Sequence, residues 1–243
     1  MQIDVLDSAD AVAQRAADAI CEAAAARPQA AIGLASGATP VGLYAELARR
    51  VRNEDLDLRR AVGFAIDELH GVPKSHPATN ASYFREHVTS RFELRALHIL
   101  DSEAQDPERE CSRFEMSISN AGGLDLVILG IGANGHIAFN EPGSPFEARC
   151  RRVALARSSR EPYAPGFGSI EATPSHGLTL GIADIMAARR VLLLASGAEK
   201  APIVSRALEG PVTEDVPASV LKRHGDVLAV LDRDAAGELA ARL

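Results

Sequence analysis

Short runs of almost uninterrupted apolar residues recur along the chain, separated by longer segments whose apolar positions follow helical spacing. A strand that is apolar at nearly every position must be covered on both faces. Several such strands alternating with helices suit a mostly parallel central sheet flanked by helices, so the expected fold class is α/β. The strand candidates are residues 30–34, 62–66, 94–100, 124–129, 191–195 and 227–231. Helical periodicity is read over 9–26, 41–51, 83–92, 107–121, 182–188, 201–208 and 235–242. No repeat, low-complexity linker or charge block divides the sequence, and residues 1–243 are read as a single domain. Only 157–175, RSSREPYAPGFGSIEATPS, is rich in Pro, Gly and Ser without a period. Stretches of that kind are binding loops or lids, or plain surface excursions.

Charge and cysteine usage narrow the class. Lys and Arg number 26 against 33 Asp and Glu, a formal charge of −7. A nucleic-acid or anionic-membrane partner would need a basic face, so neither is expected. No stretch approaches the roughly 18 uninterrupted apolar residues of a membrane span. Residues 1–10, MQIDVLDSAD, carry acids where a secretory leader has a basic and then an apolar stretch, so the chain is expected to begin as mature protein. Cys21, Cys111 and Cys150 are odd in number, far apart and in no Cys-x-x-Cys pair. Neither a disulfide framework nor a thiolate zinc site is suggested, and a reducing cytoplasm is the expected location.

Four segments could carry chemistry. Residues 33–42, GLASGATPVG, lie between a strand and a helix. Small residues permit a tight turn, Thr39 can cap the helix with Pro40 at its first position, and the free amides would attract an anion such as phosphate. The Gly-Lys-Ser/Thr of a nucleoside triphosphate loop is missing, and a plain strand-to-helix turn is the competing reading. Residues 130–135, GIGANG, match Gly-x-Gly-x-x-Gly, but the continuation HIAFNEPGSP breaks any helix at Asn140 and Pro142. The region 149–157 is basic where an acid for a ribose is required, so the dinucleotide reading is rejected and no cofactor is expected. The same continuation places Asn134, His136, Asn140 and Glu141 at the carboxyl end of a strand, and a His beside a carboxylate can move protons near neutral pH. In 64–83, FAIDELHGVPKSHPATNASY, the acids Asp67 and Glu68 emerge at another strand end, suited to proton transfer or, for Asp67, to capping a turn. His70 and His76 nearby match no metal-ligand spacing, and no metal is expected. Lastly, Lys200 follows the small-residue turn 196–198 and could pair with a phosphate at the first loop, or be an ordinary solvated helix-start lysine.

In order, SGATP, FAIDE with GVPKSHP, GIGANGHIAFNEP, GLTLGI and SGAEKA resemble the glucosamine-6-phosphate deaminase (isomerase) family over about residues 30–231. The resemblance implies a single modified Rossmann-type domain without a redox cofactor. Its activity would convert glucosamine 6-phosphate and water to fructose 6-phosphate and ammonia, so the expected partner is a small sugar phosphate, with a homo-oligomer open. Carried over by position, Asp67 looks like the acid that moves a proton between C2 and C1, and His136 like the group that opens the pyranose ring. Asn134 and Glu141 look like its supporting groups; Ser36, Gly37, Ala38 and Thr39 with Lys200 look like the phosphate pocket. Asn134 stands where some members have Asp. An Arg for the phosphate is expected in the irregular stretch, at Arg160 with Arg157 as competitor, and the C-terminal allosteric features of longer members are not expected. The related 6-phosphogluconolactonases usually follow Gly-His with a small-residue and Leu-Phe-Pro pattern, so FNEP at 139–142 favours the deaminase. A non-catalytic sugar-phosphate sensor is disfavoured by Asp67, His136 and Glu141 together. Galactosamine 6-phosphate remains an alternative substrate.

Overall fold

A computed structural model describes residues 1–240. The chain opens with β1 (Gln2–Leu6) and α1 (Ala9–Ala26), whose first turn is capped by the Ser8 hydroxyl accepting from the Ala11 amide at 3.2 Å. There follow β2 (Ala31–Leu34), α2 (Thr39–Arg52), β3 (Val62–Ala65), β4 (Asp67–Leu69), α3 (Asn80–Phe84) and, after a π-helical turn at Arg85–Thr89, β5 (Ala96–His98). The second half holds α4 (Pro107–Asn120), β6 (Leu126–Gly130), β7 (Arg151–Ala154), α5 (Arg157–Arg160), α6 (Ala164–Phe167) and β8 (His176–Thr179). It ends with α7 (Ile182–Met186), β9 (Val191–Ala195), α8 (Ala201–Leu208) and β10 (Val227–Asp232). No helix among the described residues is long and apolar enough to cross a membrane.

The main sheet has seven strands in the order β1-β10-β9-β6-β2-β3-β5, with every neighbouring pair parallel. From β2 the chain steps outward through β3 to β5. It then returns beside β2 as β6 and steps outward the other way, through β9 to β10, with β1 added at the far edge. This is a doubly wound, Rossmann-type order, and the loops that leave β2 and β6 diverge from adjacent strand ends. The crevice between them is where such sheets take ligands. The central strands bear out the sequence argument: Leu126, Val127, Ile128, Leu129, Val191 and Leu192 are fully buried.

A second, three-stranded antiparallel sheet, β4-β8-β7, branches from the first at Ile66. The Ile66 amide still donates to Leu34 of β2, while its carbonyl accepts from Leu180 beyond β8. Asp67 therefore stands where the chain turns out of the main sheet, and that turn aims the following residues across the crevice.

The main sheet and most helices match the expected elements; the differences have local causes. β1 escapes an apolar-run reading because it is a half-exposed edge strand with Gln2 and Asp4. The small sheet is too short and too polar to stand out. The expected strand 94–100 narrows to Ala96–His98 at the opposite edge. The expected helix 83–92 begins earlier, at Asn80, because Thr79 caps it by accepting from the Ser82 amide at 3.2 Å. In place of a helix over 235–242, Asp232 takes the Ala235 amide at 2.8 Å and opens a series of turns; residues 241 and 242 lie outside the described residues. The 157–175 stretch is not wholly irregular, since it contains α5 and α6.

Gly181, between β8 and α7, has no space for a side chain: a Cβ there would overlap the backbone carbonyls of Ala148 and Arg149. Because backbone cannot swing aside as a rotamer can, Gly181→Ala should cost on the order of 1–3 kcal/mol. Gly225, where an added Cβ meets nothing, is the control. Urea unfolding of both alanine variants checks this, and equal midpoints would refute the steric argument.

Candidate active site

The turn after β2 is shaped by Gly37, whose φ of 106° is open to glycine and strained for other residues. Tyr44 and Tyr83 hold it from either side, their hydroxyls donating to the carbonyls of Ala35 (2.7 Å) and Gly37 (2.8 Å). Thr39 does not cap α2 as expected. It lies inside the helix, and the cap position falls to Ala38, which has no side chain able to bond the first-turn amides. The positive helix end thus stands at the strand end without a side-chain cap, an arrangement that suits an anion. From the other side comes Lys200, which ends the 3₁₀ turn after β9 and donates from Nζ to the Ile131 carbonyl at 3.1 Å, where the chain leaves β6.

The two adjacent acids separate in function. Glu68 is fully buried and accepts three backbone N–H groups: Leu69 at 2.7 Å, Asn80 at 2.9 Å and Ala81 at 2.7 Å. It is the N-terminal anchor of α3. Burial pushes its pKa up, and the three amides pull against that shift. Asp67, 6% exposed, takes the Asn80 side-chain amide on Oδ1 at 2.7 Å and on its carbonyl at 3.0 Å. Burial, and then the neighbouring Glu68 charge, push Asp67 up to about 7, with hydrogen bonds from Asn80 and Ser36 opposing. A carboxyl balanced near neutrality can both take and return a proton.

The loop after β6 builds the other half. Gly132 leaves room for the His136 imidazole, which a Cβ there would overlap. Asn134 accepts the His136 amide on Oδ1 at 3.1 Å and donates from Nδ2 to Glu141 Oε2 at 2.8 Å. That oxygen lies 3.5 Å from His136 Nδ1, and the Ser159 hydroxyl lies 3.1 Å from the same nitrogen. The Ala156 amide donates to the other Glu141 oxygen at 3.1 Å. Burial would raise Glu141, but hydrogen bonds from His136, Ser159 and Asn134 outweigh it and bring the carboxylate down to about 2. With the ionised carboxylate on the Nδ1 side, a proton on Nδ1 is favoured and Nε2 is left as the basic nitrogen. Asn140, also considered from sequence, is structural: its amide donates to the carbonyls of Ile137 and Leu180, and Arg151 binds its Oδ1 at 2.8 Å.

The 157–175 stretch supplies residues the sequence did not single out. Ser159 and Tyr163 both reach the site, Tyr163 by donating to Asn80 Oδ1 at 3.1 Å. The only signal for them was the loop's composition. Arg160 donates to the carbonyls of Ile170 and Thr173, tying the stretch to itself, and its Nε is buried without a partner. Arg157 is exposed and pairs with Glu161 at 3.2 Å. His70 is held by Ala104 and Arg152, and His76 stacks on Phe167 with ring centroids 4.3 Å apart. Among the described residues no three His, Cys, Asp or Glu side chains gather as a metal site would require.

Fold and site together define a Rossmann-type α/β protein whose switch-point crevice faces a helix N-terminus and carries a neutral-range carboxyl and a carboxylate-supported imidazole. Residues 4–229 match the glucosamine-6-phosphate isomerases/6-phosphogluconolactonase family, and the chain belongs to it. It is 41% identical over 241 residues to a glucosamine-6-phosphate deaminase of Pseudarthrobacter chlorophenolicus, covering 98% of this chain and 93% of that one. To glucosamine-6-phosphate deaminase 2 of Bacillus subtilis it is 39% identical, covering 98% of both chains. The solved structure of a monomeric glucosamine-6-phosphate deaminase superposes with a TM-score of 0.94 at 36% identity, over 98% of this chain and 100% of that one. A 6-phosphogluconolactonase from Trypanosoma brucei shares the fold, with a TM-score of 0.77 at 24% identity, over 98% of both chains.

The raised Asp67 makes a stability prediction. In the unfolded chain an Asp loses its proton near pH 3.9, whereas here it does so near 7. The native protein therefore holds the extra proton in that window, and this contribution to stability is lost as pH rises from about 4 to about 7. Asp67→Asn removes that slope. Relative to the parent, the variant should gain stability between pH 5 and pH 8, on the order of 2 kcal/mol with a ceiling of about 4. Urea unfolding at both pH values checks it; a gap that does not change with pH would show that Asp67 ionises normally.

Proposed function

We propose that this chain is a glucosamine-6-phosphate deaminase: it isomerises the amino sugar phosphate to a ketose phosphate and releases ammonia. The observation that carries the reading is the pair of proton-transfer centres, Asp67 poised near neutrality and His136 backed by Glu141. Lactone hydrolysis, the other activity named for the family, moves no carbon-bound proton and gives Asp67 no such task. The 34–41% identity to curated deaminases over nearly the whole chain supports the same choice.

In this reading the 6-phosphate sits against the amides of Ser36, Gly37, Ala38 and Thr39, with the Lys200 ammonium beside it. His136 Nε2 takes the proton of the C1 hydroxyl, and the imidazolium returns one to the ring oxygen, opening the pyranose. Glu141 stabilises the transient charge, Asn134 and Ser159 fix the geometry, and neither needs to exchange a proton. Asp67 as carboxylate then removes the C2 proton from the open chain, the C1 oxygen taking a proton to form the enolamine, and Asp67 delivers its proton to C1 as the C2 ammonium, one proton poorer, becomes the imine nitrogen. Water adds at C2 of the resulting ketose imine, and the carbinolamine expels ammonia. Arg160 closes the 160–173 stretch through Nη2, and in this scheme Lys200 is the cation set beside the phosphate. The whole chain acts as one catalytic domain, and three cysteines kept free fit a cytoplasmic enzyme.

The deciding assay is ammonia release from a panel of amino-sugar 6-phosphates, run beside hydrolysis of a 6-phospholactone. Glucosamine 6-phosphate should yield ammonia, and lactone turnover without it would replace this reading. Asp67→Asn should lose solvent-deuterium exchange at C2 and ammonia release by on the order of 10²-fold or more. Urea unfolding of the same variant at the assay pH separates this loss from any loss of fold. His136→Gln should fail on the closed ring yet still bind an open-chain analogue. For the anion end, Lys200→Ala should raise KM more than it lowers kcat, because a phosphate remote from the reacting carbons contributes mainly uniform binding. The loss expected is about 1.5–3 kcal/mol, and an unchanged KM would make Lys200 a solvated helix-start lysine.

A further inference from the structure

Besides Ser36, Asp67 meets the side-chain amide of Asn80, a group whose two ends differ in hydrogen-bonding sense. The Nδ2 group lies 2.7 Å from Asp67 Oδ1 and 3.0 Å from the Asp67 carbonyl, while Asn80 Oδ1 lies 3.1 Å from the Tyr163 hydroxyl. An amide presents two donors on one side and an acceptor on the other, and its orientation is set by what the far side meets. A phenol that donates to Oδ1 pins the acceptor side away from Asp67. With that hydroxyl gone, the amide can turn, and a turned amide would set oxygen against carboxylate.

Tyr163 is itself held in place. Its ring packs edge-on to Phe139 with centroids 6.3 Å apart, Phe167 stacks on His76, and Gly166 approaches Ala78 so closely that a Cβ would overlap it. The residues around α5 and α6 thus dock against 76–80, the stretch that leads into α3. The same stretch of chain sends Ser159 to His136 and the Ala156 amide to Glu141.

We propose that Tyr163 is a positioning residue for Asp67: by donating to Asn80 Oδ1 it holds the amide with its donor side against the carboxylate, so that the base is organised only where the 156–167 segment is docked. The reach of this segment to both proton-transfer centres then has one purpose, to assemble them together. The inference rests on the deaminase reading for its kinetic consequence, and on the hydrogen-bond chain alone for its structural one. The titratable groups facing Asp67 are Glu68 beside it, Tyr44 from α2 and Tyr163. None is a cation that could take over the role of Asn80.

Tyr163→Phe keeps the ring and its packing and removes only the hydroxyl. It should lower kcat by about 3- to 10-fold, the scale of one neutral hydrogen bond, with KM changed by less than about twofold. Weaker support for the ionised carboxylate moves the acid limb of the kcat profile to higher pH. In an Asn80→Ala background most of the effect should vanish, leaving only what passes through Ser36, which Tyr163 also bonds. A substrate-free reading comes from carboxyl ¹³C titration of Asp67, whose midpoint should rise by roughly half a pH unit in Tyr163→Phe. An unmoved midpoint overturns the proposal whatever the activity, and so does an equal kcat loss in the Asn80→Ala background. If the parent chain releases no ammonia yet the midpoint still rises, the positioning role stands and the deaminase reading falls.

Discussion

The adjacency of β2 and β6 in the main sheet constrains everything at the site. These two strands begin the two outward runs of the chain, so the connections that leave them must part. The gap is lined by backbone: an uncapped helix N-terminus on the β2 side and the glycine-containing loop of His136 on the β6 side. Burial of β6 between β2 and β9 fixes the spacing, since a strand sealed on both faces cannot slide without exposing a row of apolar side chains. Lys200 follows from the same geometry, because β9 is the next strand and its end delivers the ammonium beside the exit of β6.

Placing Asp67 and Glu68 in this crevice is costly, and the structure offsets the two costs differently. Glu68 receives three amides, two of them from the start of α3, and is thereby structural. Asp67 receives one side-chain amide and help from Ser36; burial outweighs the hydrogen bonds at both acids and holds each at about 7, so the two differ in where they face and not in how readily they keep a proton. The branch of the chain out of the main sheet at Ile66 creates the difference, since it points Glu68 at α3 and leaves Asp67 at the crevice. A second sheet of three short strands exists to hold that branch, with Asp67 opposite Thr179 and Thr179 opposite Arg151.

The central strands of the parallel sheet were legible because they are apolar throughout, and the turn after β2, the Asp67 strand end and the His136 loop were legible because short motifs mark them. What stayed hidden has a common cause. The edge strand β1 and the strands β4, β7 and β8 are short, mixed in polarity and stabilised by partners distant in sequence, so no local pattern announces them. Ser159 and Tyr163 are ordinary residues in a Pro- and Gly-rich stretch, and they matter only because α5 and α6 fold back over residues 76–80 and the His136 loop. The Arg expected at the phosphate shows the same limit: a guanidinium's charge is visible in the sequence, whereas its commitment to the carbonyls of Ile170 and Thr173 depends on how one loop closes on itself.

Two carboxylates at one site are displaced in opposite directions, and that divergence assigns their work. Glu141 has His136, Ser159, Asn134 and the Ala156 amide around it and falls to about 2, so it stays charged through any cycle near neutral pH. A group that never takes the proton can only steer and stabilise, which is what an imidazole cycling between neutral and cationic forms requires of its partner. Asp67, at about 7, is the one of the two that changes charge easily, which is the property the proposed reaction asks of the group that moves a carbon-bound proton. If both environments were equally polar, both acids would sit ionised, His136 would keep its supporting carboxylate, and Asp67 would be the weaker base for a carbon-bound proton. The site therefore depends on unequal environments of its two acids: burial and the Glu68 charge raise Asp67, hydrogen bonds lower Glu141, and residues 156–163 touch the partners of both.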